Sequence, residues 1–186
     1  MRKVILVNGD IATGKSHFAL ILKERFNLPL YTKDEYKEKL ADSYTVFTYA
    51  LSHELSIQAM NMLVESFVRE AVKGNDVILE ANFHEDYLFA IKEIADKFDY
   101  EILDINLVGT PSILYMRYIH RKDHEDRHKV HAINRINDYP EFERYVLERK
   151  NERQVGTVIE VDADDLSYQK DEELIGKIED FLKAEK

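Results

Sequence analysis

The chain has 186 residues, with 26 Lys and Arg against 36 Asp and Glu and a net charge of −10. That length and an apolar fraction of 45% point to one domain with a sizeable core, and the acidic balance excludes a general grip on long duplex nucleic acid, which needs many cationic contacts to phosphate. With no cysteine there is no disulfide framework, thiolate metal site or cysteine nucleophile, which fits a reducing, cytoplasmic setting; no apolar run approaches the roughly 18 residues of a membrane span.

Short β-rich apolar runs alternate with longer segments of helical period. Residues 3 to 7 (KVILV) predict a buried strand, stopped by Asn8, Gly9 and Asp10, and residues 15 to 26 predict a helix ended by Asn27 and Pro29. Leu28 to Thr32 predicts a second strand and Asp34 to Leu40 a short charged helix. From Phe47 to Lys73, apolar residues recur every four positions (Leu51, Leu55, Ala59, Leu63, Phe67, Ala71), which predicts a long helix halted at Gly74. A third strand follows over Asp76 to Ala81, a helix over 86 to 97 and a fourth strand over Glu101 to Val108. Pro111 then starts a helix that runs into a basic stretch, Pro140 starts another, Thr157 to Val161 makes a fifth strand and 171 to 184 a closing helix. Such alternation implies an α/β fold whose five-stranded, mainly parallel sheet is covered by helices on both faces.

Gly9-Asp10-Ile11-Ala12-Thr13-Gly14-Lys15-Ser16 fills every fixed position of G-x-x-x-x-G-K-[ST], directly after the first strand and opening the first helix. A phosphate loop must turn its backbone N–H groups toward phosphate oxygens, and glycine permits the dihedrals and the close approach. The helix behind it adds a positive end. Lys15 reaches the β- and γ-phosphates and the Ser16 hydroxyl is a Mg²⁺ ligand in this reading. A guanine-specifying N-K-x-D string is absent, which disfavours a GTP switch.

Beyond the second strand stands Lys33-Asp34-Glu35-Tyr36-Lys37. Here the chain resembles the small P-loop kinases grouped with polynucleotide 5′-hydroxyl kinases, chloramphenicol phosphotransferases and zeta-toxin-like kinases, which often share an AAA-like ATP-binding description. The resemblance implies that Asp34 accepts the proton of a substrate hydroxyl. The fold argument agrees, because ligands of open α/β sheets sit beyond the carboxyl ends of the strands. Asp is also a favoured helix N-cap, so both roles are open. Glu35 reads as a solvated charge, and Lys33 and Lys37 as surface or substrate-phosphate contacts. The third strand ends in Glu80-Ala81-Asn82, where the resemblance implies a Mg²⁺-holding acid in Glu80 and a partner in Asn82, although Ala81 lacks the hydroxyl that is common there. Asp76, at the strand's start, lies on the opposite rim.

Residues 117 to 135 hold six Lys and Arg against three acids, leaving 20 cations against 33 acids elsewhere. The resemblance places a helical lid here, at about 112–137, whose arginines close over ATP phosphates; Arg117 and Arg121 share a face at i, i+4, and Arg127 is a third candidate. The alternative is a solvated face paired with Asp123, Glu125 and Asp126. His120, His124 and His128 stack at i, i+4, i+8, but without a nameable carboxylate partner they are weak metal ligands. His53 reads as a core or cleft residue, and His17 and His84 as structural or surface ones. Phe18, Phe26, Phe67 and Phe89 fall at core spacing, while Tyr36, Tyr44 and Tyr49 lie near the acceptor side. By resemblance, Val161-Asp162-Ala163-Asp164 lies under adenine.

The expectation is therefore one P-loop kinase-like domain over 1–186 that transfers the γ-phosphoryl of ATP, with Mg²⁺, to a hydroxyl of a small molecule or nucleotide. Lys15, Asp34, Arg117 and Arg121 do the chemistry, the loop from Gly9 to Ser16 and the two arginines hold ATP, and Ser16 and Glu80 hold the metal. A polynucleotide 5′-hydroxyl kinase acting on a single-stranded end, or a nucleotide-binding regulatory module with slow hydrolysis or none, is the alternative. No membrane partner is expected, and the acceptor and oligomeric state are not readable.

Overall fold

Period-two burial organises the sheet. In β1 (Arg2–Gly9), Val4 and Leu6 face one apolar cluster while Ile5 and Val7 face another, so both sides of the central strand are dry. A computed structural model describes residues 1–45, 48–124, 128–131, 136, 138–150 and 152–184, with backbone alone for 122–124. Its elements in chain order are β1, α1 (Lys15–Phe26), β2 (Leu30–Thr32), α2 (Lys33–Ala41), α3 (Tyr49–Lys73), β3 (Val77–Glu80), α4 (Glu85–Phe98), β4 (Tyr100–Val108), α5 (Pro111–His124), α6 (Tyr139–Arg149), β5 (Thr157–Asp162) and α7 (Glu172–Lys183), with short 3₁₀ turns at Lys129–His131 and Ser167–Lys170.

The strands form one sheet in the order β2-β3-β1-β4-β5, and every pairing is parallel. Each connection must therefore cross over, which puts helices on the faces. On one face α3 and α4 bring Leu63, Phe67, Leu88 and Ile91 against Val4, Leu6 and Leu79. On the other, α1 and α7 bring Phe18, Leu22, Ile175 and Ile178 against Ile5, Ile105 and Leu107. A third cluster joins α5 to α6 through Leu114, Tyr118, Phe142 and Val146, and it rests on Ala12 of the phosphate loop.

Several expectations shift in detail. The long helix begins at Tyr49 with Thr48 as N-cap, accepting from the Leu51 N–H at 3.2 Å; Phe47 lies outside the described residues. β2 is shorter than predicted and starts after Pro29, whose ring nitrogen has no N–H to give a ladder, although its carbonyl accepts from Ile78. Thr32, not Asp34, caps α2, its hydroxyl accepting from the Glu35 N–H at 3.2 Å. Phe89 is not core: Leu88, Ile91 and Ala95 take the inner face of α4, which turns Phe89 outward at 37% exposure beneath the Arg153 guanidinium. Asp76 accepts from the Lys3 N–H at 2.8 Å on the far rim. Among the described residues no helix is long and apolar enough to cross a membrane.

Candidate active site

The register sets the rim. Val7 of β1 and Thr32 of β2 both lie level with Glu80 of β3, so the residues just beyond them, Gly9 and Asp34, emerge on the same carboxyl edge. Gly9 takes φ 122°, and a Cβ there would stand 2.0 Å from the Leu107 carbonyl oxygen. Gly14 takes φ 92°, and its Cβ would meet Gln169 Nε2 at 2.7 Å and the Tyr168 hydroxyl at 2.9 Å. Both motif glycines are thus demanded by conformation and by space.

The loop between them is tied from four directions. The Asn8 side-chain oxygen accepts from the N–H groups of Gly9 (2.7 Å) and Phe83 (3.0 Å). The Asn82 amide donates to the Gly9 carbonyl at 3.2 Å, Asp10 N–H donates to Leu107 O at 2.8 Å, and the Tyr168 hydroxyl donates to Thr13 O at 2.7 Å. α1 starts at Lys15 behind Gly14 as its N-cap, with no capping side chain and no acid in its first turn. Its leading amides and positive dipole end therefore face the cavity as an anion cradle.

Lys15 is 6% exposed and donates to the Asp10 carbonyl. Burial drives its pKa down to about 8, and the charge of Glu80 acts against that. Glu80, 5% exposed, is pushed up to about 7 by burial; the Lys15 charge and a hydrogen bond from Ser16 hold it lower than burial alone would. An oxygen pair made of a hydroxyl and a buried carboxylate, hydrogen-bonded to each other, suits a hard cation that keeps most of its water, which is the habit of Mg²⁺. Asp34 sits in the first turn of α2, half-buried, and its charge reaches Lys15, Lys33 and Glu80. Because Thr32 performs the capping, the Asp34 carboxylate is not needed for that task.

These groups converge on one cavity of about 650 Å³. The loop residues Ile11, Ala12, Gly14, Lys15 and Ser16 line it, and so do Asp34, Glu80, Asn82 and Arg121. Tyr49, Ser52, His53 and Ser56, spaced i, i+3, i+4, i+7 on α3, form another wall. His53 is therefore a cleft residue, and His17 and His84 also border the space. Of the tyrosines near the acceptor side, Tyr49 lines the cavity; the Tyr36 hydroxyl instead pairs with Ser66 Oγ at 2.5 Å, and Tyr44 is exposed.

Arg117 and Arg121 part company. Arg121 borders the cavity, whereas the Arg117 guanidinium donates to the Ala163 carbonyl at 2.6 Å and to that of Asp164. Asp164 in turn accepts from the Thr110 N–H and hydroxyl, both at 2.6 Å, so the turn before α5 and the loop after β5 are stitched together. The histidine stack does not continue as one face, since α5 ends at His124 and His128 instead approaches Asp42 at 3.4 Å. Arg127, Glu125 and Asp126 lie outside the described residues, as do the side chains of Asp123 and His124. The turn at Lys129–His131 packs back onto α2 and α3: His131 pairs with Glu38 at 2.8 Å, and the Ser52 hydroxyl donates to Val130 O at 3.1 Å.

Two participants escape the motif reading. Arg149, 8% exposed on α6, donates to the Phe83 carbonyl at 2.9 Å and lends positive charge to Asp10. Its signal was present as an arginine continuing the inward stripe of Phe142 and Val146. Tyr168 offers no such signal, because it reaches Thr13 across 155 positions from a 3₁₀ turn.

No family model and no curated protein matches the chain. Solved structures do. An inferred kinase from Chloroflexus aurantiacus superimposes with a TM-score of 0.82 at 23% identity, covering 98% of this chain and 99% of that one. A gluconokinase from Sinorhizobium meliloti gives 0.62 at 14% identity (97% and 93%), and a shikimate kinase from Bacteroides thetaiotaomicron gives 0.58 at 17% identity (98% and 99%). The fold is the α/β fold of small P-loop kinases.

Proposed function

We propose that this chain is a single kinase-like domain, residues 1–186 with a lid at about 112–137, that moves the γ-phosphoryl of ATP to a hydroxyl of a small molecule. The observation that carries the reading is convergence: the phosphate loop, a buried strand-end acid and a first-turn aspartate from three different elements border one cavity. The kinase neighbours share this arrangement of strands and helices over nearly their full lengths.

In this reading the amides from Gly9 to Ser16 and the Lys15 ammonium hold the triphosphate. Ser16 and Glu80 would hold Mg²⁺, which when bound supplies positive charge to the β- and γ-phosphate oxygens. Asp34 orients the acceptor hydroxyl and takes its proton as the acceptor oxygen bonds to the γ-phosphorus and the bond to the β-phosphate oxygen breaks, releasing ADP. Arg121 offsets charge on the transferring group, while Arg117 acts at one remove by fixing the Ala163 and Asp164 carbonyls of the segment over 161–164 that would lie against the base. The named subfamilies of the resemblance differ in acceptor. A net charge of −10 favours a small acceptor over a polynucleotide.

An ATP-consumption screen against hydroxyl compounds and 5′-hydroxyl oligonucleotides tests the assignment. Stimulation by a small alcohol, sugar or nucleoside is expected. Stimulation by oligonucleotides alone would move the acceptor to a single-stranded end, and stimulation by none would leave a nucleotide-binding module.

A further inference from the structure

The cavity is electrically unlike the molecule around it. Among the described residues its walls carry four basic side chains, Lys15, Lys33, Lys37 and Arg121, against two carboxylates, Asp34 and Glu80, in a chain of net charge −10. In the kinase reading Lys15 and Arg121 serve the phosphates, Glu80 the metal and Asp34 the acceptor hydroxyl. That leaves two lysines without a task.

Both stand on the acceptor's side. The order β2-β3-β1-β4-β5 puts α2, which leaves β2, on one flank of the phosphate loop, while the Asp162–Asp165 segment leaves β5 on the other. Lys33 and Lys37 are four residues apart on α2 and share its face, with Asp34 next to Lys33. Lys37 is only 8% exposed, and its ammonium donates to Ser52 Oγ at 3.0 Å. Burial holds Lys33 below its ordinary pKa, against the pull of Asp34 and Glu80. An anionic group on a ligand would give both ammonium groups a charged acceptor inside the cavity. The facing wall of Ser52, His53 and Ser56, with the Tyr49 and His53 rings stacked at 6.0 Å, suits a polar, hydroxyl-rich body.

Resting on the kinase reading, we infer that the acceptor is a small hydroxyl compound that carries an anionic group, a carboxylate or a phosphate monoester, held by Lys33 and Lys37 while Asp34 takes the hydroxyl. The nucleotide and the acceptor then draw on separate sets of cations in the same cavity.

The test uses matched triplets that differ only in charge: glycerol, glycerate and glycerol 3-phosphate; glucose, gluconate and glucose 6-phosphate; ribose, ribonate and ribose 5-phosphate. Binding is measured by calorimetry to the full chain with Mg²⁺ and a non-hydrolysable ATP analogue, and transfer by labelled γ-phosphate. At least one anion is expected to bind tenfold or more tightly than its neutral counterpart, the carboxylate and phosphate arms showing which anion is preferred. Lys37→Met should erase that preference and Lys37→Arg should keep most of it, with affinity for the ATP analogue unchanged. Lys33→Met provides a second, less buried position should Lys37→Met fail to fold. A panel with no preference for anions, or a preference that survives both methionine variants, overturns the inference while ATP binding keeps the kinase reading alive. Failure to bind the ATP analogue overturns both.

Discussion

The Tyr168 hydroxyl donates to the main-chain carbonyl of Thr13 at 2.7 Å, so the segment after the last strand braces the phosphate loop that follows the first. The same tyrosine packs edge-on against Phe18 of α1, with ring centroids 5.2 Å apart. The anion cradle is therefore held by tertiary structure as well as by its own glycines. Tyr168→Phe keeps the ring contact and loses the hydrogen bond. It is expected to lower stability by about 1 kcal/mol and to weaken nucleotide binding severalfold, read by urea unfolding and calorimetric titration. Unaltered nucleotide affinity would separate this brace from the loop's function.

Lys15→Ala should abolish ATP turnover while the fold survives. The ammonium is buried and burial already depresses its pKa, so its removal relieves a desolvated charge as well as deleting the proposed phosphate contact. ADP release and thermal melting measure the two effects. Turnover near that of the parent chain would remove the loop lysine from the chemistry.

Asp34→Asn preserves shape and, because Thr32 does the capping, should preserve α2. Nucleotide affinity is expected to stay the same and transfer to an acceptor to fall about 10²- to 10⁴-fold, the usual worth of a positioned base. A stopped assay of acceptor phosphorylation beside an ATP titration distinguishes a lost base from a lost fold.

Buried acids make stability depend on pH in a direction that can be worked out. Glu80 and Asp104 are both raised to about 7 by burial, so between their ordinary values and pH 7 the folded chain binds more protons than the unfolded one. Stability from these groups is then full at low pH and declines as pH rises toward 7. Lys15, lowered to about 8, works the other way, and its contribution recovers from pH 8 toward its ordinary 10.5. Asp104→Asn should flatten the falling limb, by up to about 1.4 kcal/mol per pH unit, seen as a larger gain in melting temperature at pH 8 than at pH 5. Equal gains at both pH values would refute the linkage.

Arg149→Met should destabilise the chain by about 2 kcal/mol, the range for a hydrogen bond from a charged donor. It leaves the Phe83 carbonyl without its partner at 2.9 Å and withdraws positive charge from Asp10. Denaturant unfolding reads the cost, and a neutral outcome would make Arg149 an incidental burial.

Much of this molecule is written locally. Strand and helix periods, the eight-residue phosphate loop and the acid closing β3 are properties of neighbouring residues, and neighbours determine backbone path and which face a side chain takes. Partners across the fold are another matter. Arg117 and Arg121 stand one turn apart, about 6 Å along the axis, yet one grips the carbonyls of Ala163 and Asp164 while the other borders the cavity. Spacing puts them on one face and says nothing about what each end reaches. Likewise the burial of Arg149 and the reach of Tyr168 to Thr13 depend on contacts between segments far apart in the chain. Local pattern decided that a glycine-flanked loop joins the first strand to the first helix; non-local packing decided which charges surround it, because burial and countercharge arise only when separate elements meet.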